Sequence, residues 1–173
     1  AESNVTVRQT ADSLYPAADK VGLFVYSSVK DWDKQLTRLE MSELVVALTR
    51  HKLETPVSEF PYTDCDSLTE NQRAVVYTAK KYGLCDGGFD NEFYPDMKLF
   101  RAQIASMIYN AIGQPLTDGD DLPFTDMDKD FWFYNAILGL YNLGIIPASP
   151  TGMFNPNEYG TGTDVLDWMI AAS

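Results

Sequence analysis

The stretch Leu122-Pro123-Phe124-Thr125-Asp126-Met127-Asp128 decides how the whole chain is read, because it occurs twice. Its counterpart is Phe60-Pro61-Tyr62-Thr63-Asp64-Cys65-Asp66. Two more pairs follow in the same order. Tyr82-Gly83-Leu84 matches Leu143-Gly144-Ile145, and Glu92-Phe93-Tyr94-Pro95-Asp96 matches Met153-Phe154-Asn155-Pro156-Asn157. Each offset is about sixty residues, a period typical of a repeated supersecondary unit. A third copy lies upstream. There Val21-Gly22-Leu23-Phe24 takes the glycine position, and Leu36-Thr37-Arg38-Leu39-Glu40 takes the place of Leu99-Phe100-Arg101-Ala102-Gln103. The opening of this first copy falls at or before residue 1.

Apolar spacing fixes the register. Leu14, Tyr15, Ala18 and Val21 align with Val75, Val76, Ala79 and Tyr82, and with Ala136, Ile137, Leu140 and Leu143. The spacing i, i+1, i+4, i+7 is one face of a helix. The following glycine fits the position after the last turn, where a positive φ is cheap. Ser67 or Thr69 is expected to cap the second of these helices, and Asp128 or Asp130 the third. A further helix follows in every copy: Met41, Leu44, Val45, Leu48; then Ile104, Met107, Ile108, Ala111; then Val165, Trp168, Met169, Ala172. All three sets run i, i+3, i+4, i+7. Gly87-Gly88, Pro95, Pro147, Pro150, Gly152 and Pro156 supply the turns between helices.

The expectation is an all-α protein of three helix-loop-helix repeats, with boundaries at 1–55, 56–116 and 117–173. One hairpin buries too little apolar surface alone, so the copies must share a core. The second helices are the expected shared element, forming a central three-helix bundle with pseudo-threefold symmetry.

Composition narrows the function. The chain of 173 residues is 45% apolar, enough for a real core. Thirteen basic against twenty-five acidic residues give a net charge of −12. That argues against nucleic acid, whose phosphates need a basic footprint, and against anionic membrane surfaces. No apolar run approaches a membrane span, so no membrane insertion is expected. A start at Ala1-Glu2-Ser3 suits a processed secreted chain or an excised piece alike.

The order of motifs resembles the S-layer homology domain of bacterial cell-surface proteins. That family shows a Phe-Ser-Asp-like opening, a Trp and an Ala-Ile pair on its first helix, a Gly-Ile-Ile-like turn, a Phe-x-Pro-Asp loop and a Thr-Arg-Ala-Glu helix start. The third copy has Phe124-Thr125-Asp126, Trp132, Ala136-Ile137, Gly144-Ile145-Ile146 and Phe154-Asn155-Pro156-Asn157. The second has Tyr62-Thr63-Asp64, Gly83-Leu84-Cys85, Phe93-Tyr94-Pro95-Asp96 and Phe100-Arg101-Ala102-Gln103; the first keeps Thr37-Arg38-Leu39-Glu40. The resemblance implies a non-catalytic module on the bacterial cell surface or cell wall. It would bind secondary cell-wall polysaccharide, often pyruvylated, in grooves between lobes, with no cofactor. The alternative is an assembly module contacting other surface proteins on the same scaffold.

Carried over by position, the resemblance points to Arg38 and Arg101 as ligand residues and Trp132 as a sugar platform. Arginine suits a ketal carboxylate because its planar fork binds one in bidentate fashion. Departures are visible as well. Thr161-Gly162-Thr163-Asp164 puts Gly162 at the arginine position of the third copy. Asn71 stands near the Trp position of the second copy, and about Thr10 near that of the first. Each candidate has a structural alternative. Trp132 precedes a buried face by four residues and would pack there. Asp64 and Asp126 are either ligand residues or acceptors in a turn before a helix. Glu40 and Gln103, like Asp164, sit in a first helical turn, where an acid also complements the dipole.

Cys65 and Cys85 bracket one helix, giving either a disulfide in an exported protein or two buried thiols. Asp126, Asp128 and Asp130 alternate as in a calcium loop, but Phe131 and Ile137 occupy the positions that need Gly and Glu. No metal site is expected. His51, the only histidine, reads as a C-terminal helix cap. No phosphate loop, zinc motif or nucleophile elbow occurs, so no enzymatic activity is expected.

Overall fold

The computed structural model describes residues 11–173, and among them every regular element is a helix. The order is α1 (Ala11–Lys20), α2 (Arg38–Leu48), α3 (Glu70–Lys81), α4 (Arg101–Ala111), α5 (Tyr134–Asn142) and α6 (Gly162–Ala172). The chain is all-α, as its periodicity requires. The opening of the first copy and its Thr10 position lie outside the described residues.

The helix signals act as local chemistry dictates. Thr37 and Glu40 close a reciprocal capping box on α2, and Thr69 and Gln72 do the same on α3. Thr69, not Ser67, is therefore the cap. Neither Asp128 nor Asp130 caps α5. Asp128 instead accepts from the Asp130 backbone (2.9 Å) in an Asx turn, and the helix begins later, after Phe133. Gly83 and Gly144 sit just past α3 and α5 at φ of 67° and 75°, where a Cβ would be strained.

The helices pair across the sequence segments. α3 packs on α2, α5 on α4, and α1 returns to α6, so the two ends of the described chain close on each other. α4 touches both α2 and α6. Met41, Leu44, Val45, Ile104, Met107, Ile108, Val165, Trp168 and Met169 are all buried along these three helices. The first-helix faces are narrower than their sequence spacing suggested. Val21, Tyr82 and Leu143, the i+7 positions, are exposed, because each directly precedes the glycine that ends its turn.

A ring of backbone hydrogen bonds ties the starts of the second helices. Leu36 N–H donates to Gly160 (3.2 Å), Gly160 to Leu99 (3.0 Å), and Leu99 back to Leu36 (3.1 Å). These otherwise loop-bound amides and carbonyls thereby satisfy one another.

Two loops are built alike. Phe93 and Phe154 are fully buried, tilted against Tyr62 and Phe124 with ring centroids 5.2 and 5.4 Å apart. Tyr94 and Asn155 follow at φ of 57°. Such a turn exposes two consecutive N–H groups, and an aspartate meets them. Asp64 accepts from Phe93 and Tyr94 (2.8 and 2.7 Å); Asp126 accepts from Phe154 and Asn155 (2.8 and 2.7 Å).

Candidate binding groove

Arg38 opens α2 beside the Phe93 loop. Its guanidinium donates to the Phe93 carbonyl (2.8 Å) and lies 5.9 Å from the Phe93 ring centroid. A second guanidinium nitrogen meets only the weak Met97 sulfur acceptor at 3.7 Å. One edge of the fork is thus anchored, and the other retains capacity for a stronger acceptor.

Beside Arg38 runs a groove of about 270 Å3, lined by Arg38, Asp86, Gln103, Ser106, Asn110 and Trp132 among others. Three sequence segments contribute to it. Arg38 comes from the first, Asp86 and the α4 residues from the second, and Trp132 from the third. Trp132 is 70% exposed and touches Phe133 edge-on at 5.2 Å, leaving its ring available rather than buried in the core. Gln103, Ser106 and Asn110 recur at i, i+3 and i+7, so α4 presents a polar stripe to the groove. That stripe is legible in the sequence but is masked by the stronger apolar period on the same helix. Asp86 carries no sequence signal; the turn after α3 places it.

Arg101, Glu40, Asp64 and Asp126 do not line this groove. Arg101 donates to the Phe154 carbonyl (2.9 Å), pairs with Asp164 at 2.5 Å, and stacks over Phe154 and Trp168 at 4.9 and 5.0 Å. Its side chain is only 17% exposed. Glu40 accepts from the Thr37 N–H (3.0 Å) within its capping box. Gln103 shares that habit, accepting from Phe100 N–H (2.8 Å), yet also lines the groove. Asp64 and Asp126 spend both carboxylate oxygens on backbone amides.

At the corresponding start of α6, Gly162 faces the backbone of Trp32. A Cβ there would stand 2.8 Å from the Trp32 Cα and closer still to its carbonyl oxygen. The arginine missing from the sequence is excluded by this contact. Glu43 on α2 is buried and accepts from the Ser28 hydroxyl (2.6 Å). Burial pushes its carboxyl up to about 7, with the nearby Glu40 charge adding to the effect and the Ser28 bonds opposing it.

Cys65 and Cys85 are free and buried, the second of the two sequence readings. Their surroundings differ: Cys65 lies by Asp64, and Cys85 by the Asp86 carbonyl. Burial pushes the Cys65 thiol up to about 12 and raises Cys85 as well, so neither thiol is a ready nucleophile. His51 stacks on Tyr82 at 3.7 Å instead of capping α2. Among the described residues, no group of three or more His, Cys, Asp or Glu is placed to hold a metal ion, and no helix is long and apolar enough to cross a membrane.

Residues 123–159 match the S-layer homology domain. The matched stretch contains the Asp126-clasped loop, Trp132 and all of α5. Over 126 residues the chain is also 24% identical to the surface-layer 125 kDa protein of Lysinibacillus sphaericus, covering 73% of this chain but 10% of that protein.

Proposed function

We propose that the chain is a non-catalytic module that anchors a protein to the bacterial cell wall by holding an acidic wall polysaccharide in the Arg38 groove. The supporting observation is the convergence of an arginine with a free edge, an exposed indole and a polar helix stripe in one cleft. A sugar ring presents an apolar face to an indole and hydroxyls to amides, while a pyruvate ketal adds a carboxylate that matches the guanidinium.

The same reading takes the chain as three unequal S-layer homology repeats in a pseudo-threefold arrangement, divided at 1–55, 56–116 and 117–173. The closed ring of Leu36, Leu99 and Gly160 supports it, as do the twin aspartate-clasped loops. Of the starts of α2, α4 and α6, the one at Arg38 presents a cation with an unanchored edge to a groove. Arg101 is occupied by Asp164, and Gly162 brings no cation.

The test is sedimentation with purified Gram-positive walls, before and after extraction of their acidic polymer. The expected result is retention on intact walls, loss on extracted walls, and strongly reduced retention for Trp132→Ala. Equal retention on both wall preparations would refute polysaccharide recognition.

A further inference from the structure

We infer that the loop between Lys80 and Asn91 forms a second subsite for an acidic sugar, continuous with the Arg38 groove; this rests on the polysaccharide reading above. A cavity of about 460 Å3 opens there, lined by Tyr62, Lys80, Asp86, Gly88, Phe89 and Asn91 among others. Asp86 also lines the Arg38 groove, so the two cavities meet across a single residue.

The loop is built to hold this shape. Gly87 N–H donates to the Tyr62 hydroxyl (3.0 Å), and Gly88 N–H to the Glu92 carbonyl (2.7 Å). A Cβ at Gly87 would lie 2.6 Å from the Tyr62 ring, and one at Gly88 2.7 Å from the Tyr94 ring. The glycine pair lets the backbone lie against both tyrosines. The next residue, Phe89, is thrust fully into solvent. The Phe89 ring is thereby open to stacking on the apolar face of a sugar.

The cation beside it is positioned by a rigid element. Lys80 projects from the last turn of α3, with its ammonium 5.2 Å from the Tyr62 ring centroid and 3.8 Å from Asp86. Lys80 and Asp86 are both well exposed, so their pairing is weak and readily exchanged for a ligand carboxylate. Arg38 and Lys80 thus flank Asp86 as two cations on a molecule of net charge −12. A monomeric acidic sugar can satisfy one of them. A polymer carrying an acid on successive repeating units can engage both, and linked contacts multiply.

Calorimetric titration of the chain tests this with two probes: the acidic polymer extracted from the cell walls of the sedimentation test above, and the same polymer hydrolysed to single repeating units. The double variant Lys80→Gln, Phe89→Ala is expected to weaken binding of the intact polymer about tenfold and to leave binding of single units unchanged. Both side chains are exposed, and Phe89→Ser alone gives the same readout if the double variant unfolds. Unchanged polymer affinity overturns the second subsite while Arg38 recognition stands. No binding of either probe by the unaltered chain overturns both readings.

Discussion

Arg38 and Arg101 each open a helix, α2 and α4, and have opposite fates. Each donates to the carbonyl of a buried phenylalanine in the neighbouring loop, Phe93 or Phe154. The residues three places into the helix that follows in that neighbour then separate them. At α4 that residue is the neutral Gln103, which bonds its own helix start and leaves Arg38 free. At α6 it is Asp164, which takes the guanidinium of Arg101. A tryptophan repeats the contrast: Trp168 lies under Arg101 as part of the core, whereas Trp132 stands exposed beside the Arg38 groove. A cation that holds the fold together is not available to a ligand, so motif identity alone does not identify a binding arginine.

The third equivalent position offers the severest way to break this comparison. Restoring the arginine by Gly162→Arg forces a side chain into the Trp32 backbone. The expected loss is about 3 kcal/mol or more, seen as a melting temperature lowered by roughly 6–12 °C. A variant that melts like the parent would mean the Trp32 segment yields easily, and the third groove would count as open.

Arg101→Met comes next. It strands Asp164 with little solvent and removes the stacking on Phe154 and Trp168. Allowing for residual exposure of the pair, we expect a loss of about 2 kcal/mol in chemical denaturation with wall retention unaltered. Reduced retention at unchanged stability would assign Arg101 to the ligand instead.

Glu43 sharpens the contrast through pH. It lies three residues after Glu40, as Ser106 lies three after Gln103, but it is sealed beneath Ser28 instead of facing a groove. Its folded value of about 7 exceeds the ordinary 4.5. The folded state therefore binds its proton more tightly than the unfolded state. This contribution is fully present below pH 4.5 and is lost as pH rises to about 7. Denaturation midpoints followed across that window should reveal a decline on the order of 2 kcal/mol that Glu43→Gln abolishes. An identical pH slope in the variant would show that Glu43 titrates normally.

The smallest stability effect belongs to Arg38→Ala, about 0.5 kcal/mol, since only one carbonyl bond and a loose ring contact are lost. Its consequence is expected in binding, with wall affinity reduced about tenfold in a pull-down titration. A large stability loss there would erase the distinction from Arg101.

Helix content was legible because amphipathic spacing and capping are local: Thr69, Gly83 and the buried faces of α2, α4 and α6 follow from residues within a turn or two of one another. The late start of α5 was not legible. Asp128 looks like a cap by type, and only the path of residues 129–133 turns it to a different amide. The candidate site was read in part. Arg38, Gln103 and Trp132 were visible and do converge, whereas Asp86, Ser106 and Asn110 join them only once three separate segments are brought together.

What the amino-acid order determined by itself is therefore local: the helical faces of α2, α4 and α6, and the glycines that follow α3 and α5. What tertiary structure alone decided is how equivalent positions diverge. Whether an arginine meets Asp164 or open solvent, and whether a glycine is spare or pressed on Trp32, depends on residues more than fifty positions away. Local pattern carries no information about those distant contacts, and charge pairing and steric exclusion act only between groups that the fold has brought within a few ångströms.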